Sequence, residues 1–170
     1  MNIPNDILDF AERWQEKTND YGTESLTDVF DHFFSAFVLY NFLYTQVSEK
    51  EDYNFSGDAE QATKTIRKYL GAKTIFTDST IQENTQKIKS LISDEIFYIR
   101  DAVWDAHRIE KLNSLDEESW SKGLLEIIYK IRCNAFHGSK QFKENQKQIL
   151  VPCICIVERI NEMVIEKIKA

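Results

Sequence analysis

Val29-Phe30-Asp31-His32-Phe33-Phe34-Ser35-Ala36-Phe37-Val38-Leu39-Tyr40-Asn41-Phe42-Leu43-Tyr44-Thr45-Gln46-Val47 is apolar on almost every face of the helix it would form. A helix with a solvent side keeps a polar stripe, and one without it is surrounded by protein. The stretch therefore predicts the central helix of an all-α bundle. Ser25 or Thr27 is suited to cap it, and Asp28 and Asp31 suit its positive N-terminal end.

Working outward, helical spacing continues nearly throughout. Asp6 to Lys17 carries Ile7, Leu8, Phe10, Ala11 and Trp14 at helical intervals, before Asn19-Asp20-Tyr21-Gly22 breaks the pattern. Asp58 opens a helix that Gly71 stops, and a polar helix covers about Ser79 to Ile92, with Asp94 to Arg100 as a possible extension. Asp101 to Leu115 mixes its residue types and reads as irregular. Asp116 or Ser119 starts a helix striped by Trp120, Leu124, Ile127, Ile128, Ile131 and Ala135, which Gly138 ends. The last helix runs from Lys143 or Gln146 to Lys169, with Pro152 expected to kink it or to confine its regular part. No repeat or linker divides residues 1–170, so the expectation is one domain, an antiparallel bundle of about five to six helices.

Composition agrees with that reading. Only five glycines and two prolines argue against a loop-rich β fold, since both are costly inside helices. No apolar run reaches membrane-spanning length, and the start lacks the pattern of a secretory signal. The odd set Cys133, Cys153 and Cys155 suggests reduced thiols, hence a cytoplasmic protein, and metal-ligand spacing is absent.

Net charge is −7, which speaks against general affinity for nucleic acid, but it is unevenly spread. Residues 1–60 hold 13 acidic and 3 basic side chains, whereas residues 61–170 hold 15 and 18. Between Lys122 and Lys147, six basic residues face only Glu126 and Glu144. Such a local positive field attracts phosphate at one place, although solubilising lysines produce the same pattern.

Inside that field lies Arg132-Cys133-Asn134-Ala135-Phe136-His137-Gly138-Ser139-Lys140. Arginine is a permanent planar cation able to fork onto phosphate, and histidine moves protons near neutral pH. Those two groups suffice to cleave a phosphodiester without a metal. Five residues separate Arg132 from His137, about 140° around an ideal helix. Convergence therefore needs either a loosened helix end at Gly138 or a second copy of the helix across a dimer axis. The competing reading is a helix C-terminus, where basic residues and glycine are ordinary.

The motif resembles the Arg-Asn-x-x-His-Gly-x-Lys variants of the HEPN family, with Cys133 between Arg132 and Asn134. Phe33 to Tyr44 is similar to the aromatic early helix of several of its groups. The likeness covers about residues 25–48 and 116–169 and is sharp only at the motif. It implies a HEPN-like homodimer that acts as a metal-independent endoribonuclease without a cofactor, in a toxin–antitoxin or phage-defence setting with RNA as substrate. By that resemblance Arg132 binds the scissile phosphate, His137 is the general acid or base, and Asn134 orients substrate or imidazole. Lys130, Lys140 and Lys143 are expected to hold the RNA backbone. An antitoxin or defence protein is an implied partner. Toxins of this family that are silenced by nucleotide transfer carry tyrosine two residues after the histidine; here Ser139 stands there, which argues against that control. The alternatives are a non-catalytic HEPN-like bundle that binds nucleotide, RNA or a protein, and a structural module whose motif only caps a helix. His32 is expected to be a hydrogen-bonded core or boundary residue, His107 a surface one, and Trp104 and Trp120 core.

Overall fold

The computed structural model describes residues 5–136 and 143–170, and within them the protein is all helical, with no strand. Eight helices appear among the described residues. They are α1 (Asn5–Asn19), α2 (Leu26–Lys50), α3 (58–70), α4 (Ala72–Thr77), α5 (Ser79–Ser93), α6 (Ala102–Leu112), α7 (Glu117–Phe136) and α8 (Lys147–Lys169). Three stretches make up α3: Asp58–Glu60, a π-helical turn Gln61–Thr65, and Ile66–Leu70. A 3-10 turn, Glu144–Gln146, leads into α8.

Short polar side chains set four of the eight starts. The Ser25 hydroxyl accepts from the Asp28 amide at 3.0 Å, Asp78 from Ile81 at 3.0 Å, Asp101 from Trp104 at 2.8 Å and Asp116 from Ser119 at 2.7 Å. Each satisfies an amide that has no partner within its helix. Gly71 adopts φ +90°, a conformation L side chains resist, and there α3 stops and α4 begins.

Helix α2 packs on α1, α3 and α8, and α8 also packs on α5. Phe33, Phe37, Leu39 and Leu43 are wholly buried along α2, and the Asn161 side-chain amide of α8 donates to the Ala36 carbonyl at 3.1 Å. Helix α1 covers α2 through Phe10 against Phe42 and through the Trp14 indole N–H, which donates to the Ser35 carbonyl at 2.7 Å. The burial of α2 is not complete. Thr27, Asp31, Val38 and Glu49 stay exposed on one narrow stripe. Helix α7 buries Trp120, Leu124, Ile127, Ile128 and Ile131 and packs on α3, α4 and α6.

Several expectations need correction. Eight helices replace five to six. Asp101 to Leu115 is not irregular, because Ala102–Leu112 is a helix. Its sequence is mixed because it buries little: of its residues only Asp105 and Leu112 are fully buried. Asp94 to Arg100 does not extend α5 but turns away, with Glu95 at φ +57°. The short α4 was not expected at all. Pro152 lies within α8 rather than before it, so the Gln148 carbonyl simply lacks its usual donor four residues on. The expected stop at Gly138 lies outside the described residues. No helix among them is long and apolar enough to cross a membrane.

Candidate functional site

Helix α7 positions Arg132 in its last described turn. The guanidinium lies 5.5 Å from the Tyr129 ring and 5.0 Å from the Phe136 ring, the residues three before and four after it on one face. Its Nη1 is 3.0 Å from Asp58 Oδ2, at the first turn of α3. The same carboxylate accepts from the Tyr129 hydroxyl at 2.9 Å and from the Tyr44 hydroxyl at 2.5 Å. One anion thus ties together α2, α3 and α7 around Arg132.

Burial works to raise the Asp58 pKa, but the hydrogen bonds from Tyr44 and Tyr129 and the charge of Arg132 outweigh it. The carboxyl is held below its ordinary value. Both phenols move the other way: desolvation first, then their bonds to Asp58, raise Tyr44 and Tyr129 far above the usual phenol range. The cluster is therefore one cation, one anion and two neutral hydroxyls across the physiological range. The Arg132 side chain is 17% exposed and Asp58 47%, so the pair is open to solvent from the Asp58 side. Arg132 Nε is buried without a partner, and no bond to Nη2 occurs among the described residues.

Asn134, two residues on, also reaches across to another element. Its Nδ2 donates to the Ile99 carbonyl at 2.7 Å, fastening the loop 94–101 to α7. A second anchor of this loop is Asp105, 3% exposed, which accepts from the Ile99 amide at 2.7 Å and the Arg100 amide at 3.0 Å. His137 and Lys140 lie outside the described residues.

Beside this cluster, a groove of about 500 Å³ runs between α3, α6 and α7. Lys64 and Arg67 reach it from α3, and Lys122, Glu126, Tyr129 and Lys130 from α7. Arg100, Trp104 and Arg108 complete the wall from the third side. Six cations thus face two carboxylates, Glu60 and Glu126, on a protein whose net charge is −7. Tyr129 is common to groove and cluster, since its ring lines the one and its hydroxyl enters the other. Lys130 lines this groove as well, whereas Lys143 is exposed ahead of the 3-10 turn and does not.

Sequence reasoning missed Asp58, Tyr129, Lys64, Arg67 and Arg108. A signal existed for some of them: Lys122, Glu126, Tyr129 and Lys130 repeat at helical spacing, as do Trp104 and Arg108. Trp104, read as core, is half core and half groove wall, with the Arg108 guanidinium 4.3 Å from its ring. Trp120 is core. His32 is buried between α2 and α8, its Nε2 2.5 Å from Glu158 Oε1, and His107 is exposed. Cys133, Cys153 and Cys155 form no disulfide, and burial pushes the Cys153 and Cys155 thiols up. Among the described residues, no group of three His, Cys, Asp or Glu is placed to hold a metal ion.

Comparison of the chain with protein-family models, with curated proteins and with solved structures gives no significant match.

Proposed function

We propose that the protein is a metal-independent endoribonuclease of HEPN type, working as a homodimer in a toxin or defence role. The observation that carries this reading is Arg132, held in one pose by Asp58, Phe136 and Tyr129 at the side of a basic groove. A guanidinium fixed before substrate arrives costs no reorganisation when charge develops on a phosphate. Asp58 uses only Nη1, which leaves the Nη2 edge to reach a phosphate oxygen.

In this reaction His137 accepts the proton of the RNA 2′-hydroxyl as its oxygen attacks the adjacent phosphorus. Arg132 stabilises the charge of the pentacoordinate state. The bond to the 5′-oxygen breaks, that oxygen takes up a proton, and the products are a 2′,3′-cyclic phosphate and a 5′-hydroxyl. Proton transfer of this kind contributes about 10²–10⁴-fold. Asn134, fastened to the Ile99 carbonyl, orients substrate or the imidazole. Pairing of two copies has support in apolar side chains left exposed near this end of α7: Phe136, Tyr98 and Ile96.

A second reading, a HEPN-like bundle that binds RNA or nucleotide without cutting it, is favoured by one observation. The charge of Arg132 already has a carboxylate partner, which weakens its grip on a phosphate. Incubating purified protein with RNA in EDTA separates the two. The nuclease reading expects wild type to release fragments ending in 2′,3′-cyclic phosphate, with folded Arg132→Ala and His137→Ala at least about 100-fold slower. Cleavage unchanged in both variants refutes it, and RNA binding with no cleavage by wild type selects the second reading.

A further inference from the structure

The groove between α3, α6 and α7 has features that the Arg132 chemistry does not use. Its charges are only partly neutralised. Glu60 pairs with Lys64 at 2.6 Å, while Glu126 lies 2.9 Å from Arg108 and 3.1 Å from Lys111. Arg67 is 3.4 Å from the well-exposed Glu118, and Arg100 is 3.4 Å from exposed Asp101. Surface pairs of this kind are worth little and exchange readily for a phosphate, which arginine binds through two parallel donors. Lys122 and Lys130 have no acidic partner among the described residues.

Aromatic surface accompanies the charge. Trp104 and Tyr129 both line the groove, and Trp104 is already stacked with the Arg108 guanidinium. Alternating cations and ring faces are what a single strand of nucleic acid needs, since phosphates take the cations and unpaired bases stack on the rings. An acidic peptide makes use of the cations but has no matching use for the rings. The α3 wall carries the π-helical turn Gln61–Thr65, which turns Thr63 and Lys64 toward the groove. Such turns interrupt regular helices at a cost and recur at functional sites. The volume, about 500 Å³, suits one or two nucleotides rather than a duplex.

We infer that this groove binds the sugar-phosphate strand of single-stranded nucleic acid, with Lys122 and Lys130 on phosphates and Trp104 under a base. That the strand is RNA rests on the ribonuclease reading; affinity of the groove for a single strand does not.

The test is fluorescence anisotropy with a labelled single-stranded RNA and the matching DNA, as a function of salt, on full-length protein. Each phosphate contact with a single strand adds about 0.7 to the slope of log K against log salt, or about fivefold in affinity at 0.1 M. The double variant Lys122→Ala/Lys130→Ala is expected to bind about 25-fold more weakly, with its slope reduced by about 1.4. Lys73→Ala, removing an exposed lysine of α4 outside the groove, is expected to change the affinity less than twofold. Trp104→Phe is expected to lose most of the tryptophan quenching that accompanies binding.

Strand binding by wild type that the double variant retains overturns the inference, whatever happens to cleavage. So does failure of wild type to bind either strand, or equal binding of a poly-glutamate peptide, which marks a site for acidic protein. Loss of cleavage in Arg132→Ala has no part in the decision, so the two readings fail separately.

Discussion

Replacing Asp105 by alanine tests how the loop 94–101 is held against the motif helix. The carboxylate is 3% exposed and accepts from two successive backbone amides, Ile99 at 2.7 Å and Arg100 at 3.0 Å. A hydrogen bond to a charged group contributes about 1.5–3 kcal/mol. The Ile99 amide is buried and loses the whole of that, while the Arg100 amide regains part of it from water. The expected loss is about 2–4 kcal/mol, a fall in Tm of about 5–15 °C for a chain of this size. Asp105→Asn keeps a neutral acceptor and should lose about half as much.

Urea unfolding followed by circular dichroism measures the loss, and hydrogen exchange at the Ile99 and Arg100 amides localises it. Because Asn134 holds the Ile99 carbonyl, Asn134→Ala should cost less in the Asp105→Ala background than in wild type. A loss below about 1 kcal/mol with unchanged exchange at both amides refutes the reasoning: the loop would then be held by its apolar residues Phe97 and Ile99, both buried.

Three other expectations follow from the packing and the charges. A Cβ added at Gly123 sits 2.8 Å from Lys111 Cβ and 3.5 Å from the Arg108 carbonyl, so Gly123→Ala must push α6 away from α7. Overpacking of about 1–3 kcal/mol exceeds the roughly 1 kcal/mol gained in helix propensity, and urea unfolding should show a net loss. A net gain in stability there contradicts the close approach. Asp58 has a depressed pKa, so its contribution to stability is present above the ordinary carboxylate value of 3.8 and is lost as pH falls through the lowered one. Unfolding curves of wild type and Asp58→Asn should therefore differ by a constant amount between about pH 5 and 7 and converge only as pH falls from 3.8 through the lowered Asp58 value; a gap that persists below that removes the ion pair as its cause. Phe33, wholly buried in α2, should cost about 3–5 kcal/mol as alanine, measured by the shift in urea midpoint at unchanged slope.

What could be read without coordinates was whatever neighbouring residues decide among themselves. The near-continuous apolar surface of α2, the stripe from Trp120 to Ile131, and the stops and starts at Ser25, Gly71 and Asp116 are local facts, legible because helical period and capping act over four residues. Helix α6 escaped because only two of its residues are fully buried and one of those is an aspartate, so its period carries no apolar signal. The candidate site is of the other kind. Arg132 meets Asp58 across 74 residues, Asn134 meets Ile99 across 35, and the groove draws on three helices and the loop that leads into α6. No local pattern marks Asp58 as the partner of Arg132, because the energy of that pairing exists only once α2, α3 and α7 have packed. The chain's own spacing determined a helical protein with an arginine in the last described turn of one helix. Tertiary packing alone decided which anion fixes that arginine, and that six cations surround the space beside it.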